Sequence, residues 1–362
     1  MSQPDQADLL SPATTVWGHL PGGQPVHRYS LQSEALRVQL SDYGARLLRV
    51  QTPDRSGQWG DLLLGHPDLA TYLHHSQATY YGAVIGRFGN RIAAGRFALG
   101  GQTYQLATND GPNALHGGPG GFHAVRWDAE LSESSLDLHY TSPDGEEGYP
   151  GDLDVSARYS LHHDTLRLTL RAECRGQATI LNLTHHPFWN LLGQTESGDL
   201  GEVLGHELTL NADALTAIDA TMIPTGKLAS VVGTPFDFRT PHAIGERIGA
   251  DDQQLRNALG YDHNFVMTGE SGHLRPNAVL HDPSSGRRLE LSSTQPGLQV
   301  YSGNFNDGSL VGFGGQRYGY RSSVCLEPQH FPDSPNQPNF PSTVLRPGEH
   351  FESVLEYRFS AQ

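Results

Sequence analysis

The chain has 362 residues and carries 24 Lys and Arg against 39 Asp and Glu, a net charge of −15. Binding to nucleic acid needs the opposite balance, because cations neutralise the phosphates, so no nucleic-acid partner is expected. Its 42 Gly and 23 Pro at 36% apolar content describe a turn-rich chain, closer to an all-β protein than to a helical bundle.

Residues 1–12 are rich in Ser, Pro, Gln and Asp. They lack the basic start and apolar stretch of a secretory signal and are expected to form a disordered tail. From 13 to 362 no linker or fixed-period repeat divides the chain, so one large β domain is expected. Leu36-Arg37-Val38-Gln39-Leu40 alternates apolar and polar residues, as a half-buried strand requires. The same period of two runs through Leu166 to Ala172, after the turn-like His162-His163-Asp164, and through Ser353 to Phe359. Asp144-Gly145 and Pro283-Ser284-Ser285-Gly286 read as turns between such runs. Helical spacing is confined to three short segments: Asp68 to His74, His242 to Ile248 behind Thr240-Pro241, and Asp251 to Leu259. No run approaches the ~20 apolar residues of a membrane helix, so no membrane partner is expected. Cys174 and Cys325 alone make no disulfide framework; they fit a reducing compartment and a cytoplasmic location.

Phosphate loops of the Gly-x-x-x-x-Gly-Lys-Ser/Thr type, Gly-x-Ser-x-Gly elbows and His-Glu-x-x-His pairs are absent, so nucleotide-dependent chemistry has no support. Nineteen histidines include the neighbours His74-His75, His162-His163 and His185-His186. Adjacent residues on a strand point to opposite faces and rarely share a metal, and neither Cys has the close partner of a zinc site. No metal is expected.

Four segments hold polar groups in buried or turn-bound surroundings: Asn113 to Gly118, Asn182 to Leu191, Gly260 to Phe265, and Cys325-Leu326-Glu327-Pro328-Gln329. Taken singly, each His is more simply a packing residue and the Glu a solvated one. Together they supply an imidazole acid, a carboxylate base, hydroxyl-binding amides and guanidinium, and aromatics for a sugar face. That set suits proton transfer on a polyhydroxylated ligand.

In chain order, Gly86-Arg87-Phe88-Gly89-Asn90-Arg91-Ile92, Asn113 to Gly118, Asn182 to Leu191, Tyr261 to Phe265, Pro296 to Phe305 and Leu326-Glu327-Pro328-Gln329 resemble the aldose 1-epimerase (galactose mutarotase) family. The resemblance runs from about Trp17 to Phe359. It implies a large twisted antiparallel β-sandwich with an open sugar cleft. It implies Glu327 as general base, His186 as general acid and His116 assisting at the ring, with Asn90, Arg91, Asp262 and Gln299 binding the sugar. Three positions depart from the family pattern. His185 stands where Asn is frequent, and Phe188-Trp189 replaces Tyr-Phe, which is expected to reshape one wall of the cleft.

The implied reaction is ring opening and closure of a free monosaccharide, which needs no cofactor. Glucose, galactose and related pentoses are all expected substrates, and the chain is expected to act as a monomer or homodimer. Two other readings stay open on the residues. A glycoside hydrolase would use two carboxylates, with Asp262 and Glu327 as candidates. A sugar-binding or sensing protein of the same fold would have no need of the Glu327–His186 pair.

Overall fold

The computed structural model describes residues 13–75, 79–194 and 200–362; the expected tail lies outside them. The period-two segments form two broad antiparallel sheets. Among the described residues the first orders eleven strands: Ala13–His19, Pro25–Gln32, Arg37–Ser41, Arg46–Pro53, Trp59–Leu63, Phe188–Gln194, Val324–Gln329, Gly297–Tyr301, Asp262–Met267, Ala212–Ile218 and Pro224–Ser230. The second orders nine: Asp128–Leu131, Ser135–Ser142, Asp152–His162, Thr165–Arg175, His350–Ala361, Arg287–Ser293, Arg275–His281, Glu207–Leu210 and His242–Ala243.

Register explains why these segments pair as they do. Leu166 sits opposite Tyr357 and Leu168 opposite Leu355, so the apolar faces of two distant runs coincide; a one-residue slip would turn both to solvent. The predicted turn joins Asp152–His162 to Thr165–Arg175, with His163 left-handed at φ 52°. Leu168, Leu355 and Tyr357 from this sheet meet Leu63, Trp189, Val300 and Leu326 from the other in one continuous apolar core. Each such side chain contributes about 1.5–3 kcal/mol by leaving water. The result is an antiparallel β-sandwich.

The three helices are shorter than the spacing predicts. Asp68 caps Leu69–His74 by accepting from the Thr71 N–H at 2.8 Å. Asp252 caps Gln253–Ala258, which ends where Leu259 turns left-handed. The segment from His242 is a correction: only Ile244–Arg247 is helical. His242 and Ala243 instead pair with Leu208 and Glu207 at the sheet edge, and satisfying those backbone groups outweighs one more helical turn.

Three central strands of the larger sheet position one side of the site. Leu298, Val300, Leu326 and Phe265 face the core, so alternation sends Gln299, Tyr301, Glu327 and Asp262 to the opposite face, where they line one cleft.

Candidate active site

The cleft has a volume of about 300 Å³ and gathers Asn90, Arg91, His116, His186, Asp262, Gln299 and Glu327. All seven sequence-predicted site residues thus come together. Strand pairing sets Gln299 directly opposite Glu327, and Gln299 Nε2 donates to Asp262 Oδ1 at 2.6 Å. The other wall comes from two loops zipped by the short ladder Arg91–Leu115 and Ile92–Ala114. At its end Asn90 and His116 are both left-handed, at φ 65° and 52°. They bond reciprocally: the Asn90 N–H donates to His116 Nδ1 and the His116 N–H to Asn90 O, each at 3.1 Å. The following turn requires Gly117, at φ +83°, because a Cβ there would lie 2.0 Å from Gly86 O.

The structure divides the adjacent histidines between two environments. His185 enters the core, its Nδ1 3.0 Å from the Tyr357 hydroxyl and its Nε2 3.1 Å from that of Tyr159. His186 enters the cleft, with Nε2 3.4 Å from Glu327 Oε2 and its ring stacked on Phe188 at 4.8 Å. Tyr80 wedges against both cleft histidines, 4.5 Å from the His116 ring and 5.9 Å from that of His186.

Burial governs the electrostatics. It raises the Glu327 carboxyl well above the usual carboxylate range; Asp262 adds to this and Arg91 opposes it. It lowers His186 to about 3 and His116 well below its ordinary value. Asp262 is raised by burial, against Arg91 and the Gln299 hydrogen bond. Loss of water disfavours charge on every member of the pair and its neighbours.

His116, His186 and Glu327 hold ligand atoms within 4.8 Å of one another, a spacing compatible with a cation. The hydrogen bonding of His116 does not fit that use. Its Nδ1 accepts from the Asn90 N–H, so the neutral ring carries its proton on Nε2. A metal-binding His donates its remote N–H to an acceptor, whereas here the remote nitrogen meets a donor. The arrangement makes His116 a hydrogen-bond donor into the cleft.

Three corrections and additions follow from the geometry. Trp189 lies wholly in the core, 5.4 Å from the Tyr357 ring, so of the departures Phe188-Trp189 only Phe188 touches the cleft wall. Arg87, inside the first motif, spends its guanidinium on the carbonyls of Pro150 and Gly151 at 2.8 and 2.7 Å and supports the loop from behind. The cleft also includes Tyr80 and Asp110, which sequence reading missed, and Tyr301 and Phe305, which lie in the Pro296 to Phe305 motif but were given no role. The aromatic pair Tyr80-Tyr81 before an apolar run was the available signal for one of them; Asp110 reads only as a turn residue. A larger open depression of about 620 Å³ lies on the outer face of the nine-stranded sheet. Its arginines are spent on acidic neighbours, Arg171 on Glu352 and Arg175 on Asp154.

Similarity to known proteins gives the family. The family described as aldose 1-epimerase matches residues 27–358. The chain is 42% identical to galactose mutarotases from Bos taurus and Homo sapiens over 353 residues, covering 97% of this chain and 99% of theirs. It is 36% identical to an aldose 1-epimerase of Escherichia coli strain K12, over 94% of this chain and 97% of that one. Among solved structures, a GalM/aldose epimerase homologue from C. elegans superposes with a TM-score of 0.83 at 28% identity, covering 92% of this chain and 98% of that one. A galactose 1-epimerase from Lactobacillus acidophilus NCFM gives 0.81 at 27%, covering 96% and 98%. The chain belongs to the aldose 1-epimerase family.

Proposed function

We propose that this aldose 1-epimerase interconverts anomers with Glu327 and His186 as its two proton carriers, and the 3.4 Å approach of His186 Nε2 to Glu327 Oε2 carries that reading. Glu327 takes the proton of the C1 hydroxyl while His186 gives one to the ring oxygen. The C1–O5 bond breaks, the open-chain aldehyde turns about C1–C2, and closure on the other carbonyl face reverses both transfers. Both oxygens are bonded to C1, so an acid and a base lying side by side can serve them. Each positioned group contributes about 10²–10⁴-fold. His116, a donor through Nε2, holds a sugar oxygen near the reacting bond.

The pair titrates as a unit. In the empty cleft burial favours its proton on Glu327 and a neutral His186. Sugar hydroxyls donating to the carboxylate favour its charged form and move the proton onto His186 as the cleft fills. Arg91, Asn90, Asp262 and Gln299 fix the remaining hydroxyls, so that C1 meets both carriers. Asp262 is engaged by Gln299 and lies 3.9 Å from Arg91, which favours a hydroxyl-binding role over that of a second hydrolytic carboxylate.

The names of the relatives support galactose as a substrate and aldoses more broadly, among which glucose is the second sugar to test. The continuous core supports one domain over 13–362. Two buried cysteines without a disulfide fit a reducing, cytoplasmic setting, and no helix among the described residues is long and apolar enough to cross a membrane. The test is the optical rotation of freshly dissolved α-D-galactose and α-D-glucose with wild type, Glu327→Gln and His186→Asn. Faster equilibration by wild type, lost in both folded variants, establishes the roles. A wild type no faster than the spontaneous reaction on either sugar sinks them.

A further inference from the structure

Arg91 has two carboxylates around its guanidinium. Asp110 Oδ2 accepts from Arg91 Nε at 2.7 Å, while Asp262 Oδ2 stands 3.9 Å from Arg91 Nη1. The Arg91 side chain is 8% exposed and that of Asp110 30%, so the pair closes the cleft wall instead of standing in bulk water. Asp110 is itself held. Its N–H and C=O exchange hydrogen bonds with the C=O and N–H of Asn113 at 3.1 and 3.0 Å. The Asn109 side chain clamps both backbone groups of Leu115 at 2.8 and 3.0 Å. The loop that delivers His116 therefore also delivers a fixed carboxylate to the Nε edge of Arg91.

We propose that Asp110 is a positioning residue of the epimerase reaction, gripping Arg91 through Nε so that its terminal nitrogens face Asp262 and the sugar hydroxyls. This deepens the function proposed above and rests on it. A guanidinium anchored at one edge presents its other donors in a fixed fork. Without Asp110 the fork can swing and its charge is less offset. The titratable groups around the pair come from every wall, with Asp262, Glu327, His116 and Tyr80 under the Arg91 charge and His186, Tyr301 and His123 lying beyond them. Asp110 raises Asp262, and Arg91 lowers both Asp262 and Glu327. Removing the Asp110 charge therefore lowers the titration of carboxylates and histidines alike, and both limbs of the pH profile move to lower pH.

The experiment compares wild type with Asp110→Asn and Asp110→Glu, reading kcat and KM for galactose by polarimetry across pH, with melting temperatures alongside. Asp110→Asn is expected to raise KM more than it lowers kcat. The fall in kcat/KM should reach up to about a hundredfold, the effect of roughly 1 Å of misplacement, with both limbs displaced downward. Asp110→Glu, which keeps the charge, should return the limbs towards their wild-type positions. An Asp110→Asn profile that does not move, at wild-type KM, overturns the inference while leaving the epimerase reading intact. So does an equal loss in both variants with unmoved limbs, the mark of a merely structural contact. A wild type without activity overturns both.

Discussion

His186 Nε2 and Glu327 Oε2 meet at 3.4 Å on the cleft floor, and Glu327 Oε2 has no hydrogen-bond partner among the described residues. A buried acceptor left in this state costs about 1–3 kcal/mol. Folds keep such groups where a ligand will use them. Glu327 arrives on the strand Val324–Gln329 and His186 just before the neighbouring strand Phe188–Gln194, so their meeting is a product of sheet order.

Glu327→Gln and His186→Asn should each lower kcat by about 10²–10⁴-fold, and the double variant should be little worse than the poorer single one, because the pair works as a unit. Stability should move the other way for Glu327→Gln. The folded carboxyl is raised above its unfolded value, so its favourable contribution exists below the unfolded pKa and is lost as pH rises through the folded one. At pH 7 the ionised unfolded form is therefore favoured, and an isosteric amide removes that penalty. Polarimetry and thermal melts at pH 7 check both halves. A variant that is inactive and also less stable than wild type would contradict the account of the buried acid.

His185 should matter to folding and little to turnover. Its ring joins the hydroxyls of Tyr159 and Tyr357 across the core, and burial lowers it to about 3. His185→Ala leaves the Tyr357 hydroxyl short of a partner, at a cost of about 1–3 kcal/mol, while Tyr159 keeps its bond to Ala45 O at 2.8 Å. Denaturant melts should show that loss, with kcat of the folded variant within about tenfold of wild type. A catalytic collapse in a variant of wild-type stability would mean that the wrong neighbour has been assigned to the cleft.

These two histidines show what was legible beforehand. Alternation dictates that only one of them faces the cleft, and the motif following Asn182 marks the segment. The partners that decide the matter, Tyr159 and Tyr357, lie 26 and 172 residues away, beyond any local pattern. Strands such as Leu166 to Ala172 were readable because period two is written within them. Asp110 was not, because its meaning lies in an ion pair with Arg91, 19 residues earlier, and locally it is one more acidic residue before glycine. The edge pairing of His242 is likewise a long-range event overriding a local helix signal.

Acid should destabilise the protein before it reaches the carboxylate range. Burial lowers His185, His186 and His263 to about 3, His66, His206 and His330 to about 4, and His116 well below its ordinary value. The unfolded chain takes up these protons near ~6.5, so stability is lost as pH falls from there towards the folded values, by about 1.4 kcal/mol per pH unit for each fully linked group. Buried Asp61, Asp262, Asp333 and Glu327 and the half-buried Glu147 are raised and act in the opposite direction, but they are fewer. Melting temperature should therefore fall between pH 7 and pH 5 with net proton uptake on unfolding; a melt that holds or rises over that interval removes this explanation.

Phe188 and Trp189 are neighbours on one strand with opposite duties, and substitutions should separate them. Phe188 faces the cleft, with its ring parallel to His186 at 4.8 Å and edge-on to Tyr81 at 4.6 Å. Phe188→Tyr adds one hydroxyl beside the acid without disturbing the stack. It should change the ratio of KM for glucose to that for galactose by a few-fold, below the roughly 10–200-fold that one small group in a closed pocket commands, while the melting temperature holds. Trp189 is fully buried against Tyr357 and Phe359. Trp189→Ala should cost about 3–5 kcal/mol and leave the KM ratio of the folded fraction unchanged. If the Trp189 variant shifts sugar preference and the Phe188 variant does not, the alternation that sends one ring to the substrate and the other to the core has been assigned backwards.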